Sequence, residues 1–145
     1  MKKLILIFLF VLLIPLTSYS DVKHFGSLNR VEYVRNYDGD TITFNIPNIH
    51  PIIGDNINVR VYGIDTPEIR GNCPLEKAKA TRVKTFVRDF LKDAKKITLV
   101  EVQRDKYFRI LATVIADGKV LSEELIKNNL AVPYFGEGPK QDWCK

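Results

Sequence analysis

Histidine, serine and cysteine are scarce in this chain of 145 residues. Histidine occurs only at His24 and His50, and beyond residue 20 serine occurs only at Ser27 and Ser122. A Ser-His-Asp triad and a two-histidine acid–base pair therefore lack their parts. Zinc sites built from clustered histidines and cysteines are disfavoured too, because the two histidines are isolated and the two cysteines are far apart in sequence. Any catalysis must rest on carboxylates and arginines, with a hard metal ion as a candidate cofactor.

Residues 1–20 have the features of a secretory signal peptide. Lys2 and Lys3 precede an almost unbroken apolar run over residues 4–16, and Ser18 and Ser20 supply the small residues of a cleavage site. The run is too short to span a bilayer comfortably, which favours a cleaved signal over a permanent anchor. We therefore expect one domain over residues 21–145 that meets a membrane only during export. The expected location is secreted or periplasmic.

The two cysteines, Cys73 and Cys144, form an even pair in a chain predicted to be exported. A disulfide persists in an oxidising compartment, and closing a loop of this length stabilises a fold by about 4 kcal/mol on the loop-entropy model. Two unpaired thiols are the alternative. We favour the disulfide.

Alternating polar and apolar residues predict five strands, and helical spacing of apolar residues predicts an amphipathic helix over residues 74–93. That helix falls between the third and fourth strands, and Ser122 is expected to cap a short helix after the fifth strand. This order favours an α+β, mainly β fold, a five-stranded OB-fold-like barrel. The predicted strands are residues 30–35, 41–46, 57–64, 97–104 and 109–116, with turns at Asp38-Gly39 and Asp117-Gly118, a loop over 47–56 and a last short strand over 131–135.

Charge is distributed unevenly along the chain. Residues 21–76 carry a net charge of −3, residues 77–109 carry +7 and residues 110–145 carry −1. An acidic part that could hold a cation thus precedes a basic part that could hold an anion. This arrangement suits a metal-dependent enzyme acting on a polyanion. For the helix lysines, an ordinary solvated face explains the charge equally well.

Two short acidic motifs, DGDT at residues 38–41 and DTPE at residues 65–68, follow neighbouring predicted strands. Either one alone is explained by a turn. Together they place carboxylates at the ends of adjacent strands, where Ca2+ could take oxygen ligands from Asp40, Asp65 and the Thr66 carbonyl. Two carboxylates leave room for water and a phosphate oxygen, as a catalytic ion requires.

Two arginines are candidates for a phosphate clamp. Arg60 lies in the strand leading to the second acidic motif, and Arg109 follows the segment Asp105-Lys106-Tyr107. Guanidinium groups match the oxygens of a phosphoryl group and stabilise added negative charge in a transition state. Taken singly, each arginine is better explained by a surface ion pair.

Four motifs in order resemble the staphylococcal nuclease family over about residues 30–135. They are DGDT (38–41), RVYGIDTPE (60–68), DKYFR (105–109) and ADGK (116–119). The resemblance implies a Ca2+-dependent nuclease on a five-stranded oligonucleotide-binding barrel. It implies cleavage of DNA and RNA, with little sugar specificity, to leave 3′-phosphates. No stable protein partner is implied, and we expect a monomer.

The resemblance also implies roles for individual residues. Asp40, Asp65 and the backbone oxygen of Thr66 would ligate Ca2+. Asp38 would contact these ligands without touching the ion. Arg60 and Arg109 would be the catalytic arginines, and Glu68 the general base. The residues implied to line the nucleotide pocket are Lys106, Tyr107 and Tyr134.

Two departures from the family's best-known member stand out. Phe108 takes the place of a glycine, and the segment over residues 69–74 is shorter and contains Cys73. We hypothesise that a Cys73–Cys144 disulfide ties down the tail with Trp143 packed beside it.

Two functions other than catalysis are alternatives for these residues. A noncatalytic OB-fold module that binds single-stranded nucleic acid needs only basic residues and stacking aromatics. It has no need for the carboxylates and the two arginines together, so the full set favours the enzyme. A disulfide-stabilised envelope protein would explain the signal and the cysteines but leave that set without a role.

Overall fold

The computed structural model describes residues 23–105 and 107–145. The predicted signal peptide and Lys106 lie outside the described residues. Among the described residues, no helix has both the length and the apolar character needed to cross a bilayer. The elements are β1 (Leu28–Asn29), β2 (Glu32–Asn36), β3 (Thr41–Asn45), α1 (Pro51–Gly54), β4 (Ile57–Val61), β5 (Ile64–Asp65), α2 (Pro74–Leu91), β6 (Ile97–Arg104), β7 (Ile110–Ala116), β8 (Lys119–Val120), α3 (Leu121–Lys127) and β9 (Val132–Pro133).

The main sheet is curled, with strand order β1-β6-β7-β4-β3-β2 and β8 paired to β7. Strands β4 and β7 are parallel, and the other neighbours in this sheet are antiparallel. Its five longest strands are the five predicted ones, with α2 between the third and fourth and α3 after the fifth. The predicted OB-fold-like α+β architecture is confirmed. A separate two-stranded sheet pairs β5 with β9.

Helix α2 covers the core and carries the N-terminal cysteine of the disulfide. Val83, Val87 and Leu91 are fully buried at spacings of four residues, as the sequence pattern predicts. Pro74 occupies the first turn, where its missing N–H costs no hydrogen bond. Cys73 is the N-cap residue, and its sulfur accepts from the Glu76 N–H at 3.3 Å.

The structure corrects three local predictions. The predicted strand over 57–64 breaks at Gly63, where φ is +79°, so that β4 ends and β5 begins in a different sheet. Ser122 is not the cap of α3, because β8 runs directly into a helix that begins one residue earlier with the buried Leu121. The predicted loop over 47–56 contains the one-turn helix α1, where His50 Nδ1 accepts from the Ile52 N–H at 3.2 Å.

The predicted disulfide between Cys73 and Cys144 is present, with the two Cα atoms 6.0 Å apart. It fastens the tail to the start of α2. Lys79, one turn into the helix, adds hydrogen bonds from its ammonium to the carbonyl oxygens of Trp143 at 3.0 Å and Lys145 at 3.1 Å. The tail is therefore held by one covalent bond and by polar contacts on both sides of Cys144.

Candidate active site

The two acidic motifs meet at α2 because Gly39 permits a very close approach. A Cβ atom on Gly39 would lie 2.4 Å from Val83 Cγ1 and 2.9 Å from Thr66 Cβ. Only glycine fits this contact without displacing the helix or Thr66. The Asp38-Gly39 turn thus serves to bring the first motif against Thr66 of the second.

Asp38 is buried and holds the backbone of the residues that follow it. Its Oδ1 accepts from the N–H groups of Asp40 at 3.3 Å and Thr41 at 2.9 Å. Burial raises the pKa of Asp38, although these hydrogen bonds favour the charged form. The side chain therefore fixes the backbone that carries Asp40.

Asp40 forms a short ion pair with Arg60, with 2.7 Å between Oδ1 and Nη1. Arg60 lies on β4 beside Thr41 in the sheet register, and its Nη2 also donates to the Ile64 carbonyl at 3.3 Å. Burial raises the pKa of Asp40 to about 6; the Arg60 charge opposes this shift, whereas the neighbouring carboxylates add to it. Burial is thus the main reason for the shift, and the three carboxylates of Asp38, Asp40 and Asp65 outnumber the single charge of Arg60.

Asp65 is the most deeply buried carboxylate of the site, with 2% of its side chain exposed. Its Oδ2 accepts from the indole N–H of Trp143 at 3.0 Å. Its Oδ1 makes no hydrogen bond of acceptable geometry with any residue that the structure describes, although Lys140 Nζ lies 3.2 Å away. A buried carboxylate oxygen whose nearest cation is a half-exposed ammonium suits a metal ion. The predicted ligands thus fit a hard metal ion.

The ammonium group of Lys140, in the C-terminal tail, contacts two of the predicted acidic site residues. Besides its contact with Asp65, its ammonium donates to Glu68 Oε1 at 2.9 Å. Partial burial lowers the pKa of Lys140, but the Glu68 hydrogen bond and the Asp65 charge outweigh it, so the net shift is upward. In this structure the ammonium provides positive charge that a bound metal would also provide.

Glu68 is placed by a buried acidic residue at the start of α2. Glu76 Oε1 accepts from the Glu68 N–H at 3.3 Å, and its Oε2 accepts from the Asn72 N–H at 2.9 Å. Gly71 packs against this side chain so closely that a Cβ would overlap it. The short segment after the second motif is therefore shaped by Glu76, which leaves the Glu68 carboxylate exposed toward the cleft.

Arg109 reaches the same cleft from the segment before β7. Its Nε donates to Asp105 Oδ2 at 2.7 Å, and Asp105 Oδ1 also accepts from the N–H groups of Tyr107 and Arg109. These hydrogen bonds outweigh the effect of partial burial and hold the pKa of Asp105 below its usual range. Phe108 has φ of +62°, the left-handed region that favours glycine. A phenylalanine in this region strains the turn that presents Arg109.

These residues line one cleft of about 710 Å³. The predicted site residues on its wall are Asp38, Asp40, Arg60, Glu68, Tyr107, Arg109 and Tyr134. Asp65 and Thr66 are buried next to it, in contact with Lys140 and close to Gly39 respectively. Cys73 and Cys144 are not part of the wall.

Asp105, Phe135 and Lys140 were not predicted as site residues, and only a packing role was predicted for Trp143. Asp105 has a signal in its spacing, four residues before Arg109. Phe135 lines the cleft with its ring edge against Tyr62, at 5.7 Å between ring centres. Lys140 and Trp143 carry no motif, because their position depends on how the tail folds back.

The curled sheet, built on five long strands and lined on one side by a polar cleft, defines a small OB-fold-like protein, of the architecture that binds oligonucleotides and oligosaccharides. The model of the family described as staphylococcal nuclease homologue matches residues 58–143, more than half of the chain. The chain therefore belongs to the staphylococcal nuclease family, as its motifs predict. The matched range includes Arg60, Glu68 and Arg109, and it begins after Asp38 and Asp40.

Proposed function

We propose that this protein is a Ca2+-dependent nuclease that hydrolyses DNA and RNA with little sugar specificity. The observation that carries the proposal is the buried, incompletely compensated pair Asp40 and Asp65 beside Arg60, in a cleft that Arg109 also enters. Family membership supports a nuclease. A noncatalytic binding module would have no use for two buried carboxylates, which weaken attraction for a polyanion.

The charge of the site suits a divalent cation. Asp38, Asp40, Asp65 and Glu68 are opposed by Arg60 and Lys140, which leaves a formal charge of −2 when all are ionised. Asp40, Asp65 and the Thr66 carbonyl would hold the ion, since calcium prefers carboxylate and carbonyl oxygens. A bound divalent ion would neutralise a phosphate oxygen and orient water.

The chain's own residues supply the remaining chemistry. Glu68 would accept a proton from the attacking water, since its carboxylate faces the cleft. Arg60 is held by Asp40 and Arg109 by Asp105, so both guanidinium groups would be oriented before substrate arrives. Each would stabilise negative charge that develops on the phosphoryl oxygens. Water would add to phosphorus and the bond to the 5′-oxygen would break. The 5′-oxygen would take up a proton from solvent as it leaves, and Glu68 would later return to solvent the proton taken from the attacking water, which leaves a 3′-phosphate and a 5′-hydroxyl.

Substrate would be held by the aromatic and basic residues around the cleft. Tyr107 and Tyr134 line the wall, and Lys106 belongs to the same segment as Tyr107. Stacking on aromatic rings and contacts to phosphate tolerate both sugars and all bases. Broad specificity is therefore expected.

We also propose that the protein acts outside the cytoplasm, in a periplasm or an extracellular medium. The disulfide supports this proposal, because such bonds persist in oxidising compartments. The predicted signal peptide supports it independently. Nothing in the proposed chemistry requires a protein partner, and we propose a monomer.

The function is tested by incubating purified protein with plasmid DNA, single-stranded DNA and RNA, first with Ca2+ and then with excess chelator. Degradation of all three that stops on chelation is the expected result. Slower migration of intact nucleic acid in a gel would show a noncatalytic binding module and not an enzyme. If the protein neither cut nor bound any of these nucleic acids, both the enzyme and the binding module would be ruled out.

A further inference from the structure

The only tryptophan of the chain, Trp143, contacts the buried carboxylate at the centre of the site. We propose that Trp143 is a positioning residue for Asp65, and that the Cys73–Cys144 disulfide is the clamp that keeps it in place. The proposal rests on the proposed function, because it assigns Asp65 to a Ca2+ site. It adds a residue 78 positions away in sequence to the support of that ligand.

The indole N–H is suited to orienting a metal ligand. It donates to Asp65 Oδ2 at 3.0 Å, which leaves Oδ1 as the oxygen without a hydrogen bond among the described residues. Fixing one oxygen of a buried carboxylate also fixes the direction of the other. An indole is a donor without charge, so it orients Asp65 without neutralising it.

Lys140 differs from Trp143 in this respect. Its ammonium lies 3.2 Å from Asp65 Oδ1, the oxygen that the proposal assigns to the ion. The lysine side chain is 47% exposed and flexible, so a cation entering the site would displace it into solvent. Trp143 holds the other oxygen and would remain in place when the ion binds.

The position of Trp143 is fixed from both sides. The next residue, Cys144, is bonded to Cys73 at the start of α2. The Trp143 carbonyl accepts from Lys79 Nζ at 3.0 Å, and that ammonium lies 6.0 Å from the centre of the indole ring. The disulfide therefore fastens to the helix the very segment that reaches Asp65.

The expected size of the effect follows from other metal sites. Residues that hydrogen-bond to metal ligands typically change metal affinity by about 10- to 100-fold when removed. Trp143→Phe keeps an aromatic ring but removes the N–H. We expect Ca2+ affinity to fall by roughly tenfold or more, while saturating Ca2+ restores most of the turnover.

The test is calorimetric titration of the full disulfide-bonded chain with Ca2+, for the wild type, Trp143→Phe and the control Ile97→Val. Ile97 is buried in the core and does not line the cleft, so its variant separates lost stability from lost affinity. Weaker binding by Trp143→Phe alone, with activity recovered at high Ca2+, supports the proposal. Equal affinity in the wild type and Trp143→Phe overturns it and leaves the proposed function standing. No Ca2+ binding by the wild type overturns both.

A second measurement needs no variant. Because Trp143 is the single tryptophan, its fluorescence reports on the environment of one indole. Although the ring stays in place, we expect its emission to change during the Ca2+ titration, because the carboxylate that accepts from its N–H would gain a divalent ion, and to saturate together with the heat of binding. An emission spectrum that stays constant while the heat shows binding overturns the proposal, including in the case that Trp143→Phe does not fold.

Discussion

Replacing Asp40 with asparagine should stabilise the cation-free protein while it abolishes the proposed activity. Burial raises the pKa of Asp40 from 3.8 to about 6, despite the attraction of Arg60. The folded state therefore binds more protons than the unfolded state between these values. The free energy of unfolding falls as the pH rises from about 4 to about 6 and stays low above that range. Asparagine resembles the protonated carboxyl and avoids this loss.

The magnitude follows from the raised pKa of Asp40. Each pKa unit corresponds to about 1.4 kcal/mol, so ionising this carboxyl costs the folded state about 3 kcal/mol at neutral pH. This cost already includes the attraction of Arg60, whose 2.7 Å contact with the ionised carboxylate the variant gives up. Asparagine only approximates a protonated carboxyl, which lowers the expected gain. We expect a net gain in the free energy of unfolding of about 1 to 3 kcal/mol.

Urea denaturation at pH 7.5 in excess chelator measures this gain, and the same experiment near pH 4 should show it largely gone. Asp93→Asn is the matched control, because it removes the same charge from an exposed carboxylate and should leave stability nearly unchanged. Nuclease activity with Ca2+ should be lost only in the Asp40 variant. If Asp40→Asn were less stable than the wild type at pH 7.5 in chelator, the account of an overcharged site would be wrong.

Three further substitutions test separate parts of the account. Arg109→Ala should lower turnover by roughly 100-fold or more without much change in the free energy of unfolding, because its ion pair is exposed; unchanged turnover in a steady-state assay would refute its catalytic role. Lys140→Gln should tighten Ca2+ binding roughly two- to fivefold in a calorimetric titration, because it removes the ammonium beside a predicted ligand. The control Lys145→Gln should leave Ca2+ affinity unchanged, and weaker binding by Lys140→Gln would show that Lys140 supports the site. Phe108→Gly should raise the free energy of unfolding in urea by about 1 kcal/mol, because it relieves a left-handed backbone, and a loss of stability would contradict that strain.

The parts of the fold that depend on local pattern were predictable from the sequence. The apolar spacing of Val83, Val87 and Leu91, with Pro74 ahead of them, gave α2 to within two residues at its end. The ends of strands and helices that are set by tertiary contacts were not predictable in this way. Gly63 lies inside an alternating pattern but turns the chain toward β9, and Ser122 has the chemistry of a cap in a place where β8 leaves no room for one.

The site residues also divide into those that a local motif predicts and those that only a long-range contact places. Asp40 and Asp65 belong to compact motifs, and the structure brings them into one site, although Asp65 lies on β5 of the second sheet and not at the end of a strand of the main sheet. Lys140 and Trp143 approach Asp65 from far away in sequence, through a tail whose course is fixed by the disulfide. No local pattern encodes such a contact. The one available signal was Cys144, because a disulfide to Cys73 also restricts the position of the adjacent Trp143.

The most direct test of the central claim uses a short, 5′-labelled single-stranded DNA and mass spectrometry of the products. With Ca2+, the account predicts fragments that end in 3′-phosphates, and with excess chelator it predicts an intact substrate. Fragments formed equally well in chelator would contradict the metal requirement. An oligonucleotide that is bound by the protein but remains whole in Ca2+ would contradict the claim that the acidic cleft is a nuclease active site.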